Sequence, residues 1–451
     1  MKIQKIPKEW YNAVPDLPSS IPPVIDPVTR GTAAKEYLHR IFPLELARHE
    51  YDRERFIPIP EEILEIYSTW RPTPLVRAKR LERVLNTPAR IYYKNEAVSP
   101  PGSHKANAAI AQAYYAKSQG IKRLVTSTTA GQWGSALAFA CTFFDLECTV
   151  YMPRVNCQQK PYRKNLIESW GGQVHPSPSE HTDIGRKMIS EDPNNMGTMA
   201  TAKSEALDDV LSDDDSRNAV GSIMNFVLAT QTVIGEEAKT QLAEDYNDYP
   251  DLVVGCVGGG SNFSGIAWPF FRDMVEKKTE MDFLGVESTA APRLTMGEYL
   301  YDHADTSRRS PLFKMYTIGH SFVPPPIHTG GLRVHGSAPS LSIMVKEGIV
   351  RPIAYNQVEV FEAASLFSRT EGILTAPETA HAIRGVIDEA KKCKESGEKK
   401  VILFNHCGHG LLDLESYVEY NAGRIQENNA DPIKVRQAIQ HIKDLYPWIN
   451  K

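Results

Sequence analysis

The sequence predicts an α/β protein whose sheets are mostly parallel and covered by helices. From about residue 89, strand-like segments ("ARIYYKNE", "IKRLVTST", "LECTVYMP") alternate with helical ones ("KANAAIAQAYYAKSQG", "GQWGSALAFACTFF"). Because consecutive parallel strands need a crossover connection, this alternation favours parallel pairing. The alternation returns at "DLVVGCV", "MDFLGVE" and "KKVILFNHCGHG". A chain of 451 residues is also long for one core, so two α/β domains are expected.

The remaining segments show no such alternation. Residues 1–60 hold 9 of the 31 prolines, and we expect them to form an ordered strap with one helical segment at residues 31–50. The polar, acidic stretch near residues 190–218 has weak helical periodicity, and its "DDDS" run is interpreted as a solvated surface. The chain contains no internal repeat, so a repeat architecture is not expected.

Composition and charge exclude several classes of protein. The net charge of −4 gives no electrostatic footprint for nucleic acid or an anionic membrane. There is no run of about 18 apolar residues for a membrane span, and the N-terminal segment lacks the apolar core of a secretory signal. The six cysteines show no C-x-x-C spacing, which is typical of free thiols in a reducing compartment. We therefore expect a cytoplasmic protein with a small-molecule substrate.

Three stretches have the residue types of a chemical site. "SPPGSHKANAA" places Lys105 at the start of a helical run, where acidic residues are usually favoured. "DLVVGCVGGGSNFSG" ends a buried strand in three glycines, whose backbone N–H groups suit a phosphate. Its spacing matches neither a Walker loop nor a dinucleotide fingerprint. "TSTTAGQWGSALA" is a hydroxyl-rich loop that suits a carboxylate, although Ser and Thr also cap helices for structural reasons.

The three stretches together predict a site for pyridoxal phosphate. A lysine amine forms a Schiff base with the cofactor aldehyde, the cofactor ring acts as an electron sink, and its phosphate needs a neutral backbone cradle. Lys105 is then no longer a simple exposed ammonium, which explains its position at a helix start. We interpret Lys105 as the Schiff-base residue.

The sequence resembles the tryptophan synthase β chain family, in its second type, which works without the usual α-subunit. The matching segments lie in order from about residue 70 to 415 and include "RPTPLVRAKRLE", "GSHKAN", "AGQWGSALAF", "QKPYRKNLIESWGG", "GCVGGGSNFSG", "IHTGGLRVHG", "RTEGILTAPETAHAI" and "KVILFNHCGHG". The resemblance implies fold type II of pyridoxal phosphate enzymes, a lyase activity in tryptophan biosynthesis, a homodimer and no stable α-subunit. It also implies a bound monovalent cation, to which no residues are assigned.

The resemblance further implies two domains with the active site between them. Residues 1–222 would contain the lysine helix and a mobile substrate-loop subdomain, and residues 223–451 the phosphate cradle. Residues 70–104 would cross over to pack with the C-terminal domain.

Site roles follow from the same resemblance, residue by residue. The predicted catalytic residues are Lys105, Glu371 of the "EGI" motif near the cofactor ring, and Ser127. The predicted cofactor-binding residues are His104, Lys105, Asn107, Gly258, Gly259, Gly260, Ser261, Asn262 and Cys407. The predicted substrate-binding residues are Thr128, Thr129, Ala130, Gly131, Gln132, Trp133, His328 and Arg333, although packing is the preferred role for Trp133. In the family, serine or a related amino acid loses its β-substituent to give an aminoacrylate, and a nucleophile adds to it.

Two departures from the family pattern bear on function. The family loop "ETGAGQ" is here "STTAGQ", so Ser127 replaces the glutamate that orients and activates indole. A serine hydroxyl is a poor general base unless a neighbour activates it. The second departure is Cys407, which stands where a serine usually faces the pyridine nitrogen. A thiol is still a neutral partner, so we expect that nitrogen to stay unprotonated, which favours β-chemistry over transamination.

Three functions therefore remain open. The first is β-replacement that forms tryptophan or another β-substituted alanine. The second is β-elimination to a keto acid and ammonia, or replacement with a nitrogen or sulfur nucleophile. The third is a non-catalytic homologue that binds the cofactor, which the intact lysine, glycine and carboxylate motifs argue against.

A further stretch, "PPPIHTGGLRVHG", places His328, Arg333 and His335 beside a double glycine. A structural loop is one interpretation; the preferred one is a cationic pocket for the leaving group, which suits the phosphate of O-phosphoserine. Glu378 and His381 are interpreted as a pair on one helix face. No metal is expected, because the histidines around Cys407 do not complete a four-ligand set.

Overall fold

The computed structural model describes residues 5–32 and 35–450. The strands are β1 (Glu9–Tyr11), β2 (Phe56–Pro58), β3 (Leu75–Arg77), β4 (Arg90–Asn95), β5 (Arg123–Ser127), β6 (Glu147–Pro153), β7 (Gln173–Ser177), β8 (Ser216–Asn218), β9 (Leu252–Cys256), β10 (Asp282–Ser288), β11 (Glu298–His303), β12 (Leu312–Thr317), β13 (Val350–Tyr355) and β14 (Val401–His406).

The α-helices are α1 (Lys35–Ile41), α2 (Leu44–His49), α3 (Glu61–Tyr67), α4 (Lys79–Leu85), α5 (Lys105–Ser118), α6 (Gln132–Cys141), α7 (Arg154–Gln159), α8 (Pro161–Ser169), α9 (Asp183–Glu191), α10 (Met199–Ser212), α11 (Asn225–Thr230), α12 (Val233–Gln241), α13 (Ser261–Lys277), α14 (Pro339–Lys346), α15 (Gln357–Glu371), α16 (Pro377–Ser396), α17 (Leu414–Asn421) and α18 (Pro432–Leu445).

Two mostly parallel sheets form the frame. The larger has six strands in the order β13-β10-β9-β14-β4-β3, and only the edge pair β3–β4 is antiparallel. The smaller has the order β7-β6-β5-β8 and is parallel throughout. Two antiparallel pairs, β1–β2 and β11–β12, stand apart from them. The prediction of an α/β protein with mostly parallel sheets covered by helices is confirmed.

The central strands are continuous apolar runs because helices cover both faces of a parallel sheet. Every residue of β9 and β14 is buried. On one face of the larger sheet, Phe361 and Phe367 of α15 and Ile383 of α16 belong to one apolar cluster with Leu284 and Phe404 of the strands. Helix α16 begins with a proline in its first turn and ends at Gly397, which adopts a left-handed conformation (φ 74°).

The segment at residues 70–104 joins the larger sheet, where β4 pairs with β14. A buried ion network also holds it in place, since the Arg71 guanidinium lies 2.9 Å from a carboxylate oxygen of Glu96 and 2.9 Å from one of Glu237 in α12. Lys94 completes the network through a 2.7 Å contact with Glu237. The division of the chain into domains at residue 222 stays a prediction.

The N-terminal strap differs from the expected single helical segment. Two short helices, α1 and α2, are separated at Pro43, whose ring removes a backbone donor and restricts the chain before it. Residues 33–34 of that segment lie outside the described part of the chain. Within the described ranges, no helix is both long and apolar enough to cross a membrane.

Candidate active site

A cavity of about 480 Å³ opens at the carboxyl ends of strands β5, β9 and β14. In open α/β sheets, ligands bind at this end of the strands. The lining includes Lys105, Ser127 and Cys407, together with the three glycines that follow β9. The three motifs that the sequence singled out therefore meet in one place, although long stretches of chain separate them.

Lys105 is the first residue of α5, and His104 precedes it at the N-cap position. The His104 backbone N–H donates to the Cys407 carbonyl at 2.9 Å. The ring Nδ1 of His104 lies 3.2 Å from the same carbonyl oxygen, and its Nε2 lies 3.4 Å from Ser261 Oγ. The lysine is thus tied to both the cradle and the end of β14. Burial lowers the pKa of Lys105, which favours the neutral, nucleophilic amine.

The turn between β9 and α13 accepts only glycine, because nearby atoms leave no room for side chains. A Cβ atom on Gly258 would lie 2.5 Å from the Gly331 carbonyl oxygen, and one on Gly259 would lie 2.0 Å from Ser222 Oγ. Gly260 has φ 126°, a conformation that side chains disfavour. The backbone N–H groups at the start of α13 are therefore open to a ligand from the cavity.

Polar groups around this turn also suit a phosphate ester. Ser222 Oγ is buried and has no hydrogen-bond partner among the described residues. Asn262 braces the turn, since its amide donates to the Cys256 carbonyl at 2.9 Å and accepts from Asn405 at 2.7 Å. A glycine cradle, an unpaired hydroxyl and a lysine whose pKa is lowered by burial fit pyridoxal phosphate.

The Cys407 thiol lies directly after β14 and borders the cavity. Its Sγ is 3.0 Å from Thr379 Oγ1 and 3.7 Å from Cys256 Sγ. No carboxylate contacts this thiol among the described residues, but the contacts with Cys256 and His104 lower the pKa of Cys407. A neutral thiol at the ring nitrogen therefore stays a prediction.

The loop from Ser127 to Trp133 connects β5 to α6 and forms another wall. Gly131 is the N-cap of α6 with φ 81°, and the Arg163 side chain packs so closely that a Cβ on Gly131 would lie 2.5 Å from it. Thr129 Oγ1 donates to the Gly330 carbonyl at 3.0 Å. Ser127, Thr128, Thr129, Ala130, Gln132 and Trp133 line the cavity.

Trp133 has a packing role besides its place at the cavity. Its indole N–H donates to Thr126 Oγ1 at 2.8 Å, and Gly221 lies against the ring, where a Cβ would come within 2.7 Å of it. The ring therefore supports the end of β5, as the alternative interpretation of this residue expected.

Glu378, at the start of α16, is a cavity residue that sequence reasoning placed in a helix-face pair instead. Its carboxylate accepts from the Gln132 side chain at 3.0 Å and from the Gly331 backbone N–H at 2.9 Å. Glu378 thereby joins the loop after β5, which contains Gln132, to the loop that contains Gly331. Burial, with the nearby carboxylate of Asp413, raises the pKa of Glu378. It is the only carboxylate that lines the cavity within the described ranges.

Three predicted site residues do not line the described cavity, and Gly131 is one of them. Glu371 does not line the cavity; its carboxylate accepts the Leu81 backbone N–H at 2.7 Å, near the start of α4. Asn107 also points elsewhere, because its side chain accepts from Arg71 at 2.9 Å and donates to Glu96 and Gln231, both at 3.1 Å. The expected placement of these two side chains at the cofactor is therefore not what the structure has.

His328 and Arg333 both line the cavity. Burial, with the nearby Lys160, lowers the pKa of His328, so its ring is neutral near pH 7 and Arg333 is the cation of the pair. His328 Nδ1 lies 3.1 Å from Ser416 Oγ, and the Arg333 guanidinium donates to the Pro324 carbonyl at 2.8 Å. Arg333 Nε is buried and has no partner among the described residues, and no carboxylate there pairs with this side chain. Arg333 is thus a buried cation whose counter-charge is not supplied by the described protein.

Comparison with known proteins agrees with this site. A model of the family described as "Pyridoxal-phosphate dependent enzyme" matches residues 66–408, which include the lysine, the loop and the cradle. Two solved structures share the fold: a fungal L-serine ammonia-lyase from Rhizomucor miehei (TM-score 0.59, 16% identity, 78% of this chain and 98% of that one) and threonine deaminase isoform 2 from Solanum lycopersicum (TM-score 0.58, 17% identity, 80% and 91%). Fold and site define a fold type II pyridoxal phosphate-dependent lyase.

Curated relatives narrow the class. The tryptophan synthase beta chain of Thermococcus gammatolerans is 54% identical over 428 residues, 95% of this chain and 97% of the relative. The tryptophan synthase beta chain 2 of Aquifex aeolicus is 54% identical over 426 residues, 94% and 98% of the two chains. The chain belongs to the tryptophan synthase β chain family, and "beta chain 2" relatives support its assignment to the second type.

Proposed function

We propose that this enzyme catalyses β-replacement on serine or O-phosphoserine. The observation that supports it best is the meeting of Lys105, the glycine cradle and the carboxylate loop in one cavity. The relatives that are more than half identical are named tryptophan synthase beta chains, and the matches extend over 95% and 94% of this chain.

Pyridoxal phosphate would be held by the cradle from Gly258 to Asn262, by Lys105 through its amine, and by Cys407 at the ring nitrogen. When bound, the cofactor supplies an electron sink for the carbanion formed at the substrate Cα. The residues of this chain position the substrate: Thr128 and Gln132 with the N-terminus of α6 bind the carboxylate. The amine of Lys105, whose pKa is lowered by burial, would accept the Cα proton.

O-Phosphoserine is the donor that the pocket favours. Arg333 is buried without an ionic partner, and His328 lies in the same lining. A phosphate leaving group would supply the missing negative charge and accept charge-assisted hydrogen bonds from the guanidinium. A serine hydroxyl, in contrast, offers the guanidinium no charge.

In a second candidate function, the enzyme uses a nucleophile other than indole or none at all. Ser127 lines the cavity where the family has its glutamate, and Glu378, the one carboxylate lining the described cavity, is held by Gln132 and Gly331. The described lining therefore offers no free carboxylate to steer the indole carbon. This observation favours replacement with a heteroatom nucleophile, or β-elimination, as the alternative.

One experiment separates these outcomes. Purified holoenzyme is incubated with serine or O-phosphoserine, with and without indole, and the products are identified by mass. Tryptophan as the main product supports replacement with indole; pyruvate and ammonia alone support elimination. No consumption of either donor would contradict the proposed function as a whole.

The assembly is also part of this proposal. We expect a homodimer that is active without an α-subunit, since the second type of the family is defined by that independence. Sedimentation of the purified holoenzyme tests the dimer, and turnover of the protein alone tests the independence.

A further inference from the structure

Lys203 is a lysine in the cavity wall to which the proposed function assigns no role. It lies on α10 and lines the cavity beside Thr198 and Thr201. Its Nζ donates to the Ala304 carbonyl at 2.7 Å. Within the described ranges, no carboxylate lies within ion-pair distance of it.

The nearest acidic residue, Asp305, is already engaged. Its carboxylate accepts from the Ser310 backbone N–H at 2.8 Å, from Ser310 Oγ at 2.7 Å and from the Arg309 N–H at 3.0 Å. Asp305 acts on Lys203 only at longer range and does not offset the effect of burial, which lowers the pKa of this lysine. Lys203 is thus a basic group that lacks a close counter-ion.

Histidines form the adjoining wall. His335 Nε2 lies 2.8 Å from the His303 carbonyl, and burial lowers the pKa of His335, so that it stays neutral near pH 7. His320 Nδ1 lies 2.5 Å from an oxygen of Asp302, which also accepts from Thr317. Asp302 is fully buried and is absent from the described lining of the cavity. This wall therefore adds no carboxylate to the described lining near Lys203.

We propose that Lys203 forms a subsite for a negatively charged group on the nucleophile, so that the second substrate is an anion, such as a carboxylate-bearing thiol or amine, and not neutral indole. The inference rests on the proposed β-replacement and names the class of its second substrate. An anion beside Lys203 would compensate a cation that is costly to bury alone. The same cavity has Ser127 in place of the family's indole-steering glutamate, and the one carboxylate in its described lining, Glu378, is already held by Gln132 and Gly331.

A matched pair of thiols, one anionic and one neutral, tests whether the enzyme prefers a negatively charged nucleophile. Holoenzyme is given O-phosphoserine with either mercaptoacetate or neutral 2-mercaptoethanol. In each reaction the Cβ–O bond breaks, phosphate leaves with its electron pair, sulfur forms a bond to Cβ, and the thiol proton goes to solvent. A charge-assisted contact predicts a roughly tenfold to hundredfold higher kcat/KM for mercaptoacetate.

Variants test whether Lys203 causes the preference for the anionic thiol. Lys203→Met should bring the ratio of the two kcat/KM values close to one, and Lys203→Arg should retain most of it. Lys187→Met, which changes an exposed lysine on α9, is the control and should keep the wild-type ratio. Equal kcat/KM values in the wild type, or a preference that survives in Lys203→Met, would overturn the proposal.

A binding measurement keeps the inference separate from the proposed function. Calorimetric titration of the holoenzyme with phenylacetate and its neutral isostere phenylacetamide needs no turnover. Phenylacetate should bind roughly tenfold or more tightly than the amide in the wild type and not in Lys203→Met. If no donor is consumed and this difference is found, the proposed function fails and the anionic subsite stands. If donors are consumed and the difference is absent, the proposed function stands and the anionic subsite fails.

Discussion

Lys105 is expected to form the covalent link to pyridoxal phosphate. Two lysines line the described cavity, Lys105 and Lys203, but only Lys105 is joined through His104 to the cradle and to Cys407. Borohydride reduction of the holoenzyme followed by peptide mapping should label Lys105. Lys105→Ala should lose the covalent link and nearly all turnover, whereas a label on Lys203 would show that the site has been misassigned.

Arg333 should determine the choice of donor. Because its guanidinium is buried without an ionic partner, Arg333→Ala should lower kcat/KM for O-phosphoserine roughly tenfold to hundredfold, the value of a charge-assisted hydrogen bond. Turnover of serine should fall much less, since serine has no phosphate to bind. Steady-state kinetics with both donors measures the ratio, and the exposed Arg48→Ala is the control. Equal losses for both donors would refute the role.

Ser127 should limit coupling to indole. A carboxylate at this position supplies acid–base catalysis that is typically worth about a hundredfold to ten-thousandfold. Ser127→Glu should therefore increase tryptophan formation, although by less than that range because the surrounding site is not built for the acid. Ser127→Gln introduces a side chain of the size of glutamate but without an acid, so it should not increase tryptophan formation. Rapid tryptophan formation as the main product of the wild type would show that the serine is no impediment.

At the scale of elements, the buried ion network holds residues 71–96 against α12 and the start of α5. The Arg71, Lys94, Glu96 and Glu237 side chains are essentially inaccessible to solvent. A buried pair that loses one partner leaves an uncompensated charge. The network thus makes the crossover segment sensitive to single substitutions.

Arg71→Met should lower the free energy of unfolding by about 3–5 kcal/mol, because Glu96 and Glu237 would lose their shared partner. Arg77→Met is the matched control, because it removes a partly exposed pair with Glu82. It should lower the free energy of unfolding by about 1 kcal/mol or less. Denaturant unfolding of the three holoenzymes compares them. Similar losses in the two variants would mean that the buried network contributes little.

At the scale of the whole molecule, the cavity joins two sheets. The loop after β5 belongs to the smaller sheet, while the cradle after β9 and the thiol after β14 belong to the larger. A ligand that contacts all three is bound only by the folded protein, with both sheets in place. Cofactor binding and overall stability are therefore coupled.

Removal of pyridoxal phosphate should lower the thermal unfolding midpoint. At free cofactor about a hundredfold above its dissociation constant, the stabilisation is about 2.7 kcal/mol. Scanning calorimetry of apoenzyme and holoenzyme measures it. Lys105→Ala, which keeps the cradle, should show a smaller shift that grows with added cofactor. Identical midpoints with and without cofactor would show that the folded protein does not bind the cofactor preferentially.

The sequence by itself determined the fold class and the positions of Lys105, the glycine cradle and the hydroxyl-rich loop. Each of these is a strand-to-helix turn or a helix start, whose residue types are required by backbone geometry within a few neighbours. In a parallel sheet the carboxyl ends of the strands share one edge, which brings the cradle after β9 close to the end of β14. The loop after β5 belongs to the other sheet, so its approach to the cradle depends on how the two sheets pack.

Only the tertiary structure decided which distant side chains reach the cavity. Glu371 and Glu378 stand on either side of a short loop, yet the last residue of α15 binds the start of α4 while the first turn of α16 directs Glu378 inward. Asn107 turns to the buried ion network, and Lys203 enters the cavity from α10. The direction of a side chain on a helix depends on how that helix packs against elements far away in the chain, and local sequence does not contain that packing.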